Sequence, residues 1–361
     1  MGYKQEETMT IDKKYFGKAS DGKDAHLFTL ANKNGIRAMI TNFGGRIAQL
    51  WLPDRSGRFD DVVMGFDSLY PYQNPHPYFG ALIGRFANRI ANGVFSLNGK
   101  TYNLDTNNPP NHLHGGIQGF DSRVWAAEPV EEEDGGKLRL TLESPNGDQG
   151  YPGNLQVQVV YSLTGDNRLS IAYNAQTDAD TIVNLTNHSY FNLKGHNSGT
   201  VLNHRLRINA NTYLPTDATG IPLGGAEDVA GTPFDMREMP SLGSRINDHH
   251  IQMSQKSGFD IHFISWNQGR DLKKLCEVIE PDSRRTMEVW TTKPGVHLYT
   301  SNYIKDNAVV TGKGGYVYQQ YCGFCLETQY PPNSPNNPAL PSVVLRRGEE
   351  YRHETVFVFG A

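Results

Sequence analysis

The side chains able to do chemistry fall in five short segments: NLTNHSYFNL (184–193), GRFANRIANG (84–93), NHLHGG (111–116), GFDIHF (258–263) and GFCLETQ (323–329). They supply His188, Arg89, His114, Asp260 and Glu327, each beside glycines or aromatics, unlike a solvated charged face. Imidazole and carboxylate groups are the usual movers of protons near neutral pH, and arginine is a fixed hydrogen-bond donor. Each residue also has an ordinary structural reading. A lone histidine is more often a hydrogen-bonded core residue, Arg89 could serve an ion pair, and Asp260 after Gly-Phe suits a turn cap. Glu327 could be an edge carboxylate, yet it follows Phe324, Cys325 and Leu326 in an apolar run, where an unpaired charge is costly.

Two further patterns need weighing. His112 and His114 would share one face of a strand and could begin a metal site, but no third ligand is indicated, so no metal is expected. Of the three cysteines, Cys276, Cys322 and Cys325, the last two form a Cys-x-x-Cys pattern. Residues 317–329 read as a strand, in which positions three apart face opposite sides at about 10 Å, beyond the ~7 Å limit of a disulfide. Redox chemistry is therefore not expected, and three cysteines build no disulfide framework, which mildly favours a reducing compartment.

The elements that must position these groups read as strands. In 184–193, alternation puts Thr186, His188 and Tyr190 on one face and Leu185, Ser189 and Phe191 on the other, at a strand end. LFTLANKNGIRAMITNFGG reads as a hairpin turning at Lys33 to Gly35, followed by the run RIAQLWLP, and VFSLNGKTYNL turns at Asn98-Gly99. KLRLTLES, LQVQVVYSL and RLSIAYNAQ follow, the last two joined by residues 164–167; TMEVWTT and VHLYTSN flank Lys293-Pro294-Gly295, and ETVFVFG ends the chain. Helical signals are confined to 68–72 and 242–248. The expected fold class is all-β, a sandwich or barrel. The Pro/Asn-rich stretch 330–341 reads as an ordered loop beside a site, because it directly follows the Glu327 segment.

Length alone, 361 residues, favours two or three domains. With 34 Lys and Arg against 38 Asp and Glu, the net charge is −4 and no basic tract stands out. Nucleic-acid and anionic-membrane partners are therefore not expected. No apolar run approaches a bilayer span, and the opening MGYKQEETMTIDKKYF lacks a signal-peptide core. A cytoplasmic location is the default expectation, with a periplasmic or secreted one open if a signal was removed upstream.

The segments GALIGRFANRIANG, NHLHGG, LTNHSYFNL, TYLPTD, GFD, PGVHLYTSN and GFCLETQ, in this order, closely resemble the aldose 1-epimerases, or galactose mutarotases. The resemblance runs over nearly the whole chain. It implies a large antiparallel β-sandwich with very little helix, one domain over 12–361, and an N-terminal extension over 1–11 for which disorder is left open. It also implies interconversion of the α and β anomers of free aldohexoses such as glucose and galactose, with no cofactor. By resemblance His188 is the general acid and Glu327 the general base. Asn88, Arg89, His114 and Asp260 match sugar-binding positions, and Ser189, Tyr190 and His297 join the candidates for sugar contact. A monomer or weak dimer is expected.

The implied chemistry suits these residue types. A pyranose is a cyclic hemiacetal, so opening it removes a proton from the anomeric hydroxyl while the ring oxygen gains one. Ordinary values of about 4.3 for Glu and about 6.5 for His make a Glu anion and a His cation the expected starting charges with modest tuning. Where many relatives carry glutamine after the Pro-Gly turn, this chain has His297, which bears on sugar preference. Asn184-Leu185-Thr186 and Asn187-His188-Ser189 match glycosylation acceptors, but a glycan there would block the site. Two rivals remain: a non-catalytic sugar-binding protein on the same fold, and a hexose-phosphate epimerase, for which the segments offer little phosphate clamp beyond Arg89.

Overall fold

The computed structural model describes residues 11–74, 77–132, 135–265, 271–304 and 310–361. Of the 1–11 extension, all but Ile11 lies outside the described residues. Period-two alternation folds as the sequence indicates. The strands Leu155–Thr164 and Arg168–Thr177 pair without a break from Leu155 opposite Thr177 to Leu163 opposite Leu169, and Leu155, Val157, Val159 and Tyr161 all point into the core. At the Asn98-Gly99 turn both central residues take positive φ, 52° and 75°. That is the type I′ geometry whose twist matches a tight hairpin.

Three large antiparallel sheets result. Eight strands run in the order Ala126–Glu131, Gly135–Ser144, Leu155–Thr164, Arg168–Thr177, Glu350–Gly360, Thr286–Thr291, Lys273–Ile279 and Arg205–Ile208. A five-stranded meander comprises Asp12–Lys18, Asp24–Ala31, Arg37–Thr41, Arg46–Pro53 and Phe59–Asp61. The second five-stranded sheet runs Glu227–Asp228, Thr212–Leu214, Asp260–Ile264, Gly295–Tyr299 and Cys325–Gln329. One apolar cluster joins all three, with Phe28 and Ile40 from the meander, Tyr173 and Phe357 from the eight-stranded sheet, and Phe263 and Leu298 from the second five-stranded sheet. The architecture is a large antiparallel β-sandwich.

The second five-stranded sheet positions the chemistry. Ile261, Phe263, Val296, Leu298 and Leu326 face the shared core, so the alternate residues Asp260, His262, His297, Tyr299, Cys325 and Glu327 share the other face. Those two faces are both buried. The chain enters this sheet by a crossing at Lys293-Pro294, since Thr286–Thr291 belongs to the eight-stranded sheet and Gly295–Tyr299 to the five-stranded one.

Short helices occur at Leu69–Tyr72 and Gly243–Ile246, where helical signals were read, and also at Ile251–Lys256. Six residues are too few to display a 3.6-residue period, so the third left no mark in the sequence. Its N-terminus is capped by His250, whose Nδ1 accepts from the Gln252 N–H at 3.2 Å. The reading of 317–329 as one strand needs correction: strands cover only Val317–Tyr318 and Cys325–Gln329, with turn and bend between. Tyr321 there takes φ 63°, which breaks an extended run. Cys322 packs against Met64 and Cys325 beside His188, and all three cysteines are free and buried. Among the described residues no helix is long and apolar enough to cross a membrane.

Candidate active site

A cavity of about 510 Å³ opens over the polar face of the second five-stranded sheet. Asn88, Arg89, His114, His188, Tyr190, Asp260, His297 and Glu327, scattered over 240 positions of sequence, all line it. A larger groove of about 1110 Å³ crosses the eight-stranded sheet, but its walls are mainly amide, aliphatic and single charged side chains.

His188 ends the strand Thr186–His188, which pairs with Ala81–Ile83. Its ring is held between Tyr190, stacked at 5.0 Å, and Tyr78, stacked at 5.9 Å. Its Nδ1 lies 3.5 Å from Cys325 Sγ, and its Nε2 lies 3.6 Å from Glu327 Oε1. Two aromatic faces and a thiol fix the imidazole while desolvating it. Only 4% exposed, it is pushed by burial down to about 3.

Glu327 is 1% exposed, directly opposite His297 in the ladder. Burial, assisted by the nearby Asp260 charge, drives its carboxyl well above the usual range, with Arg89 acting the other way. The expected starting charges therefore need correction. In the cavity without sugar, burial favours neutral His188 and protonated Glu327, because both charged forms lose their hydration. The proton count is unchanged: moving one proton from Glu327 to His188 gives the anion–cation form, and the pair is net neutral either way.

Asp260 behaves differently. Burial works to raise its carboxyl, but the hydrogen bond from His297 and the Arg89 charge outweigh it and hold Asp260 well below the usual range. His297 Nε2 donates to its Oδ1 at 2.7 Å and Tyr303 OH to its Oδ2 at 3.1 Å. This is a fixed anion with aligned donors. Arg89 Nε donates to Asn108 Oδ1 at 3.2 Å, and its guanidinium passes over Gly220, where a Cβ would come within 2.9 Å. The Pro/Asn-rich stretch is indeed an ordered loop here: Asn333 N–H donates to Arg89 O at 2.7 Å, and its Oδ1 accepts from Ala91 N–H at 3.0 Å.

Asn88, His114 and Tyr78 take φ of 66°, 52° and 61°, a conformation that non-glycine residues hold only when the surroundings impose it. At His114 this kink separates two residues that were read as sharing a strand face. His112 turns inward, Nδ1 2.7 Å from Asp105 O and Nε2 2.6 Å from Tyr151 OH, while His114 lines the cavity. Possible ligand atoms of His114, His188 and Glu327 do lie within 4.8 Å of one another, a trio the sequence did not reveal. The donor set does not suit an ion, however. Asn88 N–H donates to His114 Nδ1 at 3.2 Å, which leaves the ring proton on Nε2 and no lone pair for a metal. Burial, then His188 and Arg89, holds His114 well below 6.5, so the ring stays neutral.

Ser189 is the candidate the structure does not bring to the cavity. It points away, as alternation required, and donates to Asn187 Oδ1 at 2.6 Å. The two glycosylation patterns are buried, with Asn184 donating to Ala87 O and Tyr330 O and Asn187 to Gly80 O, so neither amide is accessible in the folded chain. Arg85, in the same segment as Arg89, is structural and donates to Ser144 O and Pro152 O. The sequence reading missed Tyr78, Asn107, Asn108, Tyr299 and Tyr303 in the cavity wall. Alternation from His297 could have found Tyr299; Tyr303 lies beyond the strand end and gave no such signal.

Residues 26–358 match the family model described as aldose 1-epimerase. The galactose mutarotase of Sus scrofa is 42% identical over 351 residues, covering 97% of this chain and 99% of that protein. The galactose mutarotase of Homo sapiens is 45% identical over 325 residues, covering 90% and 91%. Among solved structures, galactose 1-epimerase from Lactobacillus acidophilus superposes with a TM-score of 0.85 at 28% identity, covering 98% of this chain and 99% of that one.

Proposed function

The chain belongs to the aldose 1-epimerase family and interconverts the anomers of a sugar, and from that premise we propose that Glu327 is the base and His188 the acid of ring opening, on free aldohexoses such as glucose and galactose. The observation that carries this reading is the approach of His188 Nε2 to Glu327 Oε1, 3.6 Å, in the wall of one cavity. The anomeric hydroxyl and the ring oxygen of a pyranose are bonded to the same carbon, so the groups serving them must lie within a few ångströms of each other.

In this reading the sugar meets the anion–cation form of the pair. Glu327 takes the proton of the anomeric hydroxyl, the bond from C1 to the ring oxygen breaks with its electrons going to oxygen, and His188 Nε2–H protonates that oxygen. Rotation about C1–C2 turns the aldehyde over. Closure returns each proton to its origin, so no cofactor is consumed. Asp260, fixed by the hydrogen bond from His297, is an acceptor for sugar hydroxyls, Arg89 and His114 add donors, Asn88 holds His114, and Tyr190 holds the His188 ring. Ser189 has no part in it. The chain acts as a monomer or weak dimer, with residues 12–361 as one unit about the shared apolar cluster. Three free cysteines suit a reducing, cytoplasmic setting.

Polarimetry of freshly dissolved α-D-glucose and α-D-galactose tests the assignment. Wild type should speed the approach to equilibrium, and Glu327→Gln and His188→Asn should each lose about 10²–10⁴-fold while still binding sugar. A wild type that binds sugar and leaves the spontaneous rate unchanged would favour a non-catalytic binding protein.

A further inference from the structure

Four buried side chains on the Glu327 face of the sheet carry polar atoms that no described residue partners: His262 Nδ1 and Nε2, His297 Nδ1, Glu327 Oε2 and both amide atoms of Gln329. Register gathers them. His262 lies directly opposite His297, His297 directly opposite Glu327, and Gln329, two residues on, opposite Gly295. Facing Cβ atoms in such a ladder are about 5 Å apart, and the His262 and His297 rings lie nearly parallel at 6.2 Å. Gly295, lacking a side chain, lets the His262 ring lie over the backbone opposite Gln329: a Cβ there would come within 2.6 Å of His262 Nε2. His262 and Gln329 are 1% and 0% exposed and stand outside the wall of the sugar cavity. Leu214, Ile264 and Leu340 pack together at the apolar end of this face.

A buried polar atom without a partner costs about 1–3 kcal/mol, and a run of them in one place is the mark of bound water, which makes about three hydrogen bonds to such groups. The chemistry of the neighbours fits. Gln329 and the two imidazoles offer both donors and acceptors, and in the anion–cation form of the pair Glu327 Oε2 needs a donor. We propose that His262, His297 and Gln329 enclose a site for ordered water, and that this water donates to Glu327 Oε2 and keeps a buried carboxylate able to accept the anomeric proton. The inference rests on reading Glu327 as the base. The other groups facing Glu327 are Asp260, which opposes its ionisation, Arg89, which assists it, and the buried rings of His188 and His114. Arg89 assists ionisation less than Asp260 opposes it, which leaves the carboxylate short of donors, and the water supplies them. His262 and Gln329 are thus positioning residues, acting through water rather than on sugar.

Infrared difference spectra between wild type and Glu327→Gln isolate the carboxyl band of Glu327 and give its titration midpoint. Gln329→Leu and His262→Phe should each move that midpoint up by about one to two pH units, the worth of one hydrogen bond to a charged group, and lower kcat about 10- to 100-fold with KM changed far less. His262→Gln, which keeps a donor, should restore both. A midpoint that stays put in folded Gln329→Leu and His262→Phe variants overturns the water site, whatever happens to the rate. If the variants fail to fold, a high-resolution crystal structure of wild type decides: water within hydrogen-bond reach of Glu327 Oε2 and Gln329 supports the proposal, and a dry hollow refutes it. Full activity in Glu327→Gln would instead sink the base assignment, a separate failure.

Discussion

The pH dependence of turnover tests the site most sharply, because burial makes it differ from what free side chains would give. The pair works only while it holds one transferable proton, shared between Glu327 and His188. With ordinary values of 4.5 and 6.5, that condition would hold between those two pH values alone, and at pH 7.5 roughly a tenth of the enzyme would be competent. Burial moves the lower limit down and hands the upper one from His188 to Glu327. His188 is pushed down to about 3, so the pair takes up a second proton only near that pH. Glu327 is driven well above its ordinary value, so the last proton leaves later. Within the window, the ratio of neutral to anion–cation forms does not depend on pH, since both carry the same protons. The expected profile of kcat/KM for α-D-glucose, by polarimetry with the spontaneous rate subtracted at each pH, is therefore flat from about pH 4 up to the ionisation of Glu327, which burial places well above the ordinary carboxylate range. It should fall only where Glu327 ionises. A bell with limbs near 4.5 and 6.5 would show that the pair is solvated in the working enzyme, and the burial argument would fail.

Other expectations follow from single residues. Asp260→Asn removes the fixed anion that His297 and Tyr303 address, and should raise KM about 10- to 100-fold, the loss of one or more charge-assisted hydrogen bonds, with kcat moved less; an unchanged KM in steady-state polarimetry would take Asp260 out of sugar recognition. Because Asn88 engages His114 Nδ1, prolonged dialysis against a chelator should leave the rate unaltered, whereas a loss restored by added zinc would establish the His114, His188 and Glu327 trio as a metal site. Outside the cavity wall, Lys313 Nζ is buried against Asp61 and donates to Ala48 O and Val63 O at 2.9 and 2.7 Å. Lys313→Ala strands the Asp61 carboxylate and should cost about 3–5 kcal/mol in urea unfolding; a loss under about 1 kcal/mol, the range of an exposed pair, would mean that water reaches Asp61.

What could be read from the chain depended on how far each signal reached along it. Turn chemistry and alternation act over a few residues, so the Asn98-Gly99 hairpin, the Leu155–Thr164 and Arg168–Thr177 ladder and the sidedness of His188 against Ser189 were all legible. A positive φ at a non-glycine residue is imposed by packing and carries no such local mark, which is why His112 and His114 were placed on one face although the kink at His114 parts them. The gathering of Glu327, His297 and His262 across three neighbouring strands is a matter of register between segments thirty or more residues apart, and resemblance supplied only part of it. Charge state lay furthest out of reach. Glu327 and Asp260 are both buried carboxylates on one sheet face, yet one is driven above its ordinary value and the other held below it. The difference is whether an aligned donor is present: His297 and Tyr303 point at Asp260, while Glu327 Oε2 has no protein partner among the described residues. Burial alone therefore does not set the charge of this face; the placement of donors against it does, and that placement divides a carboxylate held as an anion from one that burial drives toward its protonated form.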